Sequence, residues 1–135
     1  MIDESEILKK LIIDEKDVTR DLEKLIDEAT KIFKIEKPSG RIIFQNFSSL
    51  SDKQRILVVL IGKYFANRLG IIGNAAMSIS EIAKELGRPV TSLSGPMRDI
   101  VKQGFVEILP EKKYGIAYHR IKEIFDKMLP TTNGR

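Results

Sequence analysis

The chain contains the stretch Ser78-Ile-Ser-Glu-Ile-Ala-Lys-Glu-Leu86, followed by Gly87-Arg-Pro-Val90. Next come Thr91-Ser-Leu-Ser-Gly-Pro-Met-Arg-Asp-Ile-Val-Lys-Gln-Gly104 and Phe105-Val-Glu-Ile-Leu-Pro-Glu-Lys-Lys-Tyr-Gly-Ile-Ala-Tyr118. Apolar residues recur with the helical period in the first and third pieces and alternate in the last. The order therefore predicts a helix, a tight turn, a second helix and a β-hairpin.

Local signals mark the ends of the first helix. Ser78 with Glu81 forms a capping-box pattern at its start. Gly87 is expected to end it in a left-handed conformation, and Pro89 cannot continue it. Its apolar positions, Ile82, Ala83 and Leu86, should face the core.

The second helix is predicted to bury Leu93, Met97, Ile100 and Val101 and to end at Gly104. Pro96 is tolerable in it only near the start, so we expect the helix to begin at Ser92 or Leu93. In the hairpin, Phe105, Val106 and Ile108 predict one strand, and Ile116 and Tyr118 alternate into its partner. The tip is assigned to residues 110–114.

Two further helices should complete a domain of about 80 residues, from about Leu50 to Leu129. Ser51 to about Leu69 is apolar around most of its circumference and begins with a Ser51–Gln54 capping box, which predicts the central core helix. A final amphipathic helix is predicted from Ile121, Ile124, Phe125, Met128 and Leu129. Residues 130–135 should form a frayed tail.

The first 46 residues predict an acidic helical extension and a connector. An apolar seam runs through Val18, Leu22, Leu25, Ala29 and Ile32, widened by Ile26 and Phe33. Leu8 and Leu11 continue it backward, but Glu15 interrupts it; Asp14 or Asp17 could cap a second helix. One long helix or two are both compatible with this pattern, and the seam could cover the chain's own core or form a dimer interface. Pro38 and Gly40 should end the helix, and residues 41–46 read as a strand or an extended connector.

Charge is unevenly distributed along the 135 residues. Residues 1–30 hold five bases and ten acids, a net of −5, and residues 31–135 hold 18 bases and nine acids, a net of +9. A basic body with an acidic appendage suggests that the body binds a polyanion, although a surface of mixed charge is an equal alternative. The chain has no cysteine and no apolar run approaching the roughly 20 residues of a membrane span. We expect a cytoplasmic protein without membrane contact.

The stretches Ile79-Ser-Glu-Ile-Ala-Lys-Glu-Leu86 and Val90 to Glu107 resemble the winged helix-turn-helix DNA-binding domains of prokaryotic and archaeal transcription regulators. The likeness includes an "x-I-A-x-x-L" helix and the ending Gln103-Gly-Phe-Val106, and it covers about Leu50 to Leu129. It implies a mainly α fold with a small β-wing, here preceded by an N-terminal helical extension. The domains would be residues 1–46 (extension and connector), 47–129 (winged helix) and 130–135 (tail).

The resemblance also implies a DNA-binding face. The second helix would be the recognition helix, in which Arg98 could bridge guanine O6 and N7. Ser92 and Ser94 could donate to a phosphate or a base edge, and Gly95 would allow close backbone approach. Lys102 and Arg88 would contact phosphates. Lys112, Lys113 and Tyr114 would touch the backbone or the minor groove from the wing.

Catalytic, metal and cofactor sites are not expected. The chain has one histidine, His119, which we interpret as a cap or surface residue, and no spacing of metal ligands accompanies it. Neither a nucleophile motif nor a phosphate-loop motif is present. An enzyme is therefore not predicted.

Three functional hypotheses remain from the sequence. The first is a transcriptional regulator that binds double-stranded DNA as a homodimer, with two recognition helices roughly 34 Å apart. The second is a winged-helix protein-interaction module whose N-terminal helix docks on a partner. In the third, the acidic helix covers the basic body until it is displaced.

Overall fold

The computed structural model describes residues 4–8 and 15–129, which form a mixed α/β fold that is about 60% helical. Its helices are α1 (Glu4–Leu8), α2 (Glu15–Thr30), α3 (Asp52–Arg68), α4 (Ile79–Leu86), α5 (Val90–Lys102) and α6 (Ile121–Lys127). Its strands form two antiparallel hairpins, β1 (Phe33–Ile35) with β2 (Ile42–Phe44), and β3 (Val106–Leu109) with β4 (Lys113–Ile116). The predicted tail, Leu11 and Asp14 lie outside the described residues.

Helix α3 is the centre of the core, as predicted. Every side chain from Ile56 to Ile61 is at most 1% exposed, so this stretch is covered on all sides. The predicted capping box is present: the Ser51 hydroxyl accepts from Gln54 N, and the Gln54 side chain accepts from Ser51 N. Gln54 also donates to the Met128 carbonyl at 2.9 Å, which ties the start of α3 to the end of α6.

The prediction for the first helix of the helix–turn–helix pair is confirmed by α4. Both hydrogen bonds of the Ser78–Glu81 capping box are present at its start, and Gly87 at its end is left-handed with φ +67°. The predicted start of α5 was wrong. The helix begins at Val90, so Pro96 is its seventh residue rather than part of the first turn. The hydroxyls of Ser92 and Ser94 donate to the carbonyls of Pro89 and Val90, and these local bonds support the earlier start.

The hairpin after α5 is shorter at its tip than predicted. The turn occupies Pro110–Lys112, and both Lys113 and Tyr114 belong to β4. Tyr118 lies in a short 3₁₀ turn and not in the strand. Met77, just before α4, forms an isolated antiparallel bridge with Tyr114. Main-chain bonds of 3.0 and 2.7 Å therefore attach the start of α4 to the hairpin.

Three ionic or polar contacts hold α5 on the core. Lys53 pairs with Asp99 at 3.0 Å, and Asp52 pairs with Arg88 in the turn at 3.0 Å. At the other end, Arg120 donates to the Gln103 carbonyl at 2.6 Å. Because both ends are attached, the orientation of α5 is set by α3 and by the segment before α6.

The N-terminal region differs most from the prediction. The helix was expected to include Ile32 and Phe33, but α2 ends at Thr30 and Phe33 begins β1. The turn that contains Pro38 and Gly40 connects β1 to β2 instead of ending a helix. The alternating residues 33–35 bury Phe33 and pair in register with residues 42–44, a contact that no local pattern reveals.

The β1–β2 hairpin packs directly on α3. Phe33 and Ile42 belong to the same buried cluster as the apolar residues of α3. A Cβ on Gly62 would clash with Ile42 Cδ1 and lie 3.3 Å from Phe33 Cε2, so glycine lets the hairpin approach α3 without displacing these side chains. The hairpin thus contributes to the core, although it lies within residues 1–46.

A buried ion pair connects the hairpin with α4. Lys63 Nζ lies 2.9 Å from Glu85 Oε1 and donates to the Gly40 carbonyl at 3.0 Å. The second carboxylate oxygen, Glu85 Oε2, accepts from Ile42 N at 2.8 Å. Both side chains are nearly nine-tenths buried, so each charge depends on the other for compensation.

The order of the elements after α2, with a small sheet beside three packed helices, is compatible with a winged helix. Within the described ranges, none of the helices is both long and apolar enough to cross a bilayer.

Candidate nucleic-acid interface

A stripe of exposed residues runs along α5. Thr91, Gly95, Arg98 and Lys102 are spaced by four, three and four residues, which places them on one face of the helix. The stripe is about 16 Å long, at 1.5 Å of rise per residue. Helix α2 packs on β1 and α6 and leaves this stripe exposed. The described part of the acidic extension therefore does not cover it.

The stripe is positively charged. Neither Arg98 nor Lys102 forms an ion pair with any residue that the structure describes, and the neighbouring Asp99 is paired with Lys53. The carboxylate of Asp99 is thus compensated from α3, and the two cations on α5 remain available for an anionic partner. Gly95 has open space where a Cβ would be, so a partner can approach the helix backbone there.

A cleft of about 350 Å³ lies between α5 and the β3–β4 hairpin. Its lining from α5 includes Ser94, Met97, Arg98 and Val101, and Ile79, Ile108 and Tyr114 complete it. Ile108 is 64% exposed, so part of the apolar lining of the cleft faces solvent. The cleft therefore combines an apolar floor with one guanidinium at its edge.

The hydroxyl groups of Ser92 and Ser94, which were predicted to contact DNA, already donate hydrogen bonds to the backbone. Ser92 Oγ donates to the Pro89 carbonyl at 2.8 Å, and Ser94 Oγ donates to the Val90 carbonyl at 3.1 Å. In this arrangement each hydroxyl can accept but not donate. They suit an amino group, such as N6 of adenine or N4 of cytosine, better than a phosphate oxygen.

Arg88 lies in the turn before α5 and forms an ion pair with Asp52. Asp52 Oδ2 accepts from Arg88 Nη2 at 3.0 Å, and the Arg88 side chain is 39% exposed. Arg88 therefore positions α5 and presents only part of its guanidinium to solvent.

The residues of the β3–β4 hairpin and its turn, which the sequence predicts as the wing and which are called the wing below, divide into two groups. Lys112 is exposed at the tip, whereas Lys113 donates to Glu81 Oε1 at 2.8 Å and Tyr114 faces the cleft from β4. Residues 106–116 carry two lysines and two glutamates, Glu107 and Glu111, and so have no net charge. The wing contributes little to a positive surface.

Glu81 connects the start of α4 with the wing and is sensitive to acid. The Lys113 ammonium and the backbone N–H of Ser78 lower the pKa of Glu81 from 4.5 to about 2. A depressed folded-state pKa adds stability above about pH 4.5, and this contribution is lost as the pH falls toward 2. We therefore expect Lys113→Met to make the loss of stability in this window shallower, measured by urea unfolding at a series of pH values.

Lys112→Met is the matched control, because Lys112 has no described acidic partner and should retain the wild-type pH dependence. Part of the dependence should persist in every variant, since Arg120 lowers the pKa of Glu123 to about 2 independently. Identical pH slopes for the two lysine variants would contradict the importance of the Lys113–Glu81 pair.

Three residues of the site were not predicted from the sequence: Thr91 in the stripe, and Ile79 and Ile108 in the cleft. The spacing from Thr91 through Gly95 and Arg98 to Lys102 could have identified the first. The other two lie beside α5 because α4 and β3 pack on it and the Met77–Tyr114 bridge joins α4 to the hairpin, and these contacts have no local signature.

Metal binding has no support in the described ranges, where no group of three or more histidine, aspartate or glutamate side chains could hold an ion. His119 is exposed and packs edge-on against Tyr118, with ring centroids 5.8 Å apart. Comparisons with protein-family models, with curated proteins and with solved structures found no match for this chain.

Proposed function

We propose that this protein is a cytoplasmic DNA-binding transcriptional regulator with a winged helix-turn-helix, in which α5 is the recognition helix. The observation that carries the proposal is the exposed stripe of Thr91, Gly95, Arg98 and Lys102 on a helix attached at both ends. An α-helix is about 10–12 Å across with its side chains, so it fits the major groove of B-DNA, which is about 12 Å wide.

The contacts are assigned from the positions of the side chains. Arg98, at the edge of the cleft, reads a guanine, and Ser94 beside it accepts from a base amino group. Lys102 and Lys112 neutralise phosphates, and the exposed part of Arg88 adds a third such contact. Lys113 is paired with Glu81, so only part of its positive charge is available to a phosphate.

One observation favours a second candidate function. The apolar floor of the cleft, with Ile108 exposed, is also suited to a protein side chain. In a protein-interaction module, this cleft or α2 would receive the partner, and duplex DNA would not compete for it.

The two functions differ in their response to salt. Protein that neutralises DNA phosphates releases counterions, so log K should fall linearly with log salt, by about 0.9 per phosphate. The phosphate contacts of Lys102, Lys112 and Arg88 should together contribute about −2.7 to this slope for a mixed-sequence duplex in fluorescence anisotropy. No binding at low salt would contradict DNA binding and favour the interaction module.

We also propose a homodimer through α2 and the surface beside α6. Leu22 and Ile26 of α2 are exposed, and Tyr118, 62% exposed, stacks on Tyr64 at 5.9 Å between ring centroids. An acidic edge on α2, with Glu23 and Asp27, lies on one side of this apolar surface. A groove of about 240 Å³ runs beside α6, and Leu22, Tyr118 and Lys122 are among the residues that line it. A two-fold interface needs such self-complementary edges.

Substituting Leu22→Glu should convert the dimer to a monomer, because it places a charge in the centre of the apolar contact. Light scattering after size exclusion measures the mass directly. Lys24→Glu, which adds a carboxylate elsewhere on α2, should leave the dimer intact. A wild-type protein that is monomeric at high concentration would contradict the dimer.

A further inference from the structure

A second and larger cleft lies on the other side of α4, between this helix and the β1–β2 hairpin. Its volume is about 720 Å³, and it is lined by Ser39, Arg41, Lys63, Met77, Glu81, Lys84 and Glu85. None of these residues belongs to the stripe on α5 or to the wing. The hairpin that forms one wall has no counterpart in the helix–turn–helix pattern of the sequence.

Both carboxylates in this cleft are already satisfied. Glu85 holds Lys63 at 2.9 Å and the backbone N–H of Ile42 at 2.8 Å. Glu81 holds Lys113 and the backbone N–H of Ser78, each at 2.8 Å. The two acids therefore have their charges compensated by lysines and do not repel an anionic partner.

The remaining cations of the cleft are unmatched. Arg41 of the hairpin and Lys84 of α4 are exposed, and neither forms an ion pair within the described residues. The lining of the cleft holds three cations, Arg41, Lys63 and Lys84, and two carboxylates, which leaves a net charge of +1. Lys113, from the wing, compensates Glu81 in addition. The position of Arg41 is constrained, because the next residue, Ile42, is bonded to Glu85.

The cleft adjoins the proposed recognition surface. The first turn of α4 separates the two: Ile79 lines the cleft beside α5, and Glu81 lines the cleft beside the hairpin. The Met77–Tyr114 bridge joins the same turn to the wing. A duplex with its major groove on α5 has its sugar-phosphate backbone at the borders of that groove, beside α4.

We propose that the cleft between the β1–β2 hairpin and α4 binds the sugar-phosphate backbone of the duplex held by α5, with Arg41 and Lys84 at its phosphates. This proposal rests on the proposed function. The cleft supplies positive charge to the DNA-binding face, which the wing does not do because it has no net charge. The partner is duplex backbone and not a base, because the cleft has no aromatic residue on which a base could stack.

The test is the double variant Arg41→Ala/Lys84→Ala, with anisotropy of a labelled mixed-sequence duplex across a salt series. Removing two phosphate contacts should make the slope of log K against log salt shallower by about 1.8. The matched control is Lys24→Ala/Arg68→Ala, which removes two exposed charges outside both clefts and should leave the slope unchanged. The single variant Lys84→Glu should also weaken duplex binding. Because it leaves Arg41 unchanged, it tests the cleft even if the substitution of Arg41 disturbs folding.

The outcomes separate this proposal from the function on which it rests. Wild-type binding that depends on Arg98, with equal slopes for the two double variants, would overturn the cleft and leave the recognition helix intact. No duplex binding by the wild type would overturn both. A shallower slope for the Arg41/Lys84 variant alone would support the cleft.

Discussion

Replacing Arg98 by glutamate is expected to weaken duplex binding on the order of 100-fold without unfolding the protein. A bidentate arginine contact to guanine contributes about 1–3 kcal/mol, and the introduced carboxylate adds repulsion from the phosphates. Arg98 is exposed, lies at the edge of the cleft and has no described ion-pair partner. Its loss should therefore leave the core unchanged. Fluorescence anisotropy measures the affinity, and thermal unfolding followed by circular dichroism verifies the fold.

Arg68→Glu is the matched control, because it makes the same charge change in the last turn of α3. The first turn of that helix, which holds α5 through Asp52 and Lys53, is about 24 Å away at 1.5 Å per residue. The control should bind the duplex nearly as the wild type does. Equal losses in the two variants would mean that only the net charge matters, and would sink the assignment of α5 as the reading helix.

The second large effect concerns the buried pair between Lys63 and Glu85. Glu85→Ala should destabilise the protein by about 3–5 kcal/mol, because it leaves the buried Lys63 ammonium without a counter-charge. The same change removes the acceptor of Ile42 N–H. Urea unfolding of the wild type and the variant measures the difference in free energy.

Two further variants test the cause. The double variant Lys63→Met/Glu85→Leu removes both charges and should recover much of the lost stability. Glu107→Ala removes an exposed carboxylate from β3 and should change the free energy of unfolding by less than about 0.5 kcal/mol. If Glu85→Ala costs no more than Glu107→Ala, the ion pair does not hold the hairpin on α4.

Only part of the candidate interface could be predicted from the sequence. Helical spacing separates Arg98 and Lys102 from the buried face of the second helix, which holds Leu93, Met97 and Ile100. The engagement of Asp99, Arg88 and Lys113 in ion pairs could not be predicted. Their partners Lys53, Asp52 and Glu81 lie 32 to 46 positions away in the chain.

The elements whose signals are local follow from the amino-acid sequence. Ser51–Gln54 and Ser78–Glu81 began two helices, Gly87 ended one, and an unbroken apolar run identified the central helix. These features depend on hydrogen bonds and dihedral angles within a few residues, so the residue types alone specify them.

The end of α2 and the strand that follows it depend on long-range contacts. The seam through Ile32 and Phe33 has a helical spacing, but pairing with residues 42–44 and packing on Gly62 make the last part a strand. The Lys63–Glu85 pair and the Met77–Tyr114 bridge likewise join residues 22 and 37 positions apart. Such contacts outweigh local propensity because they bury apolar surface and compensate charge, and neither quantity is defined until the chain has folded.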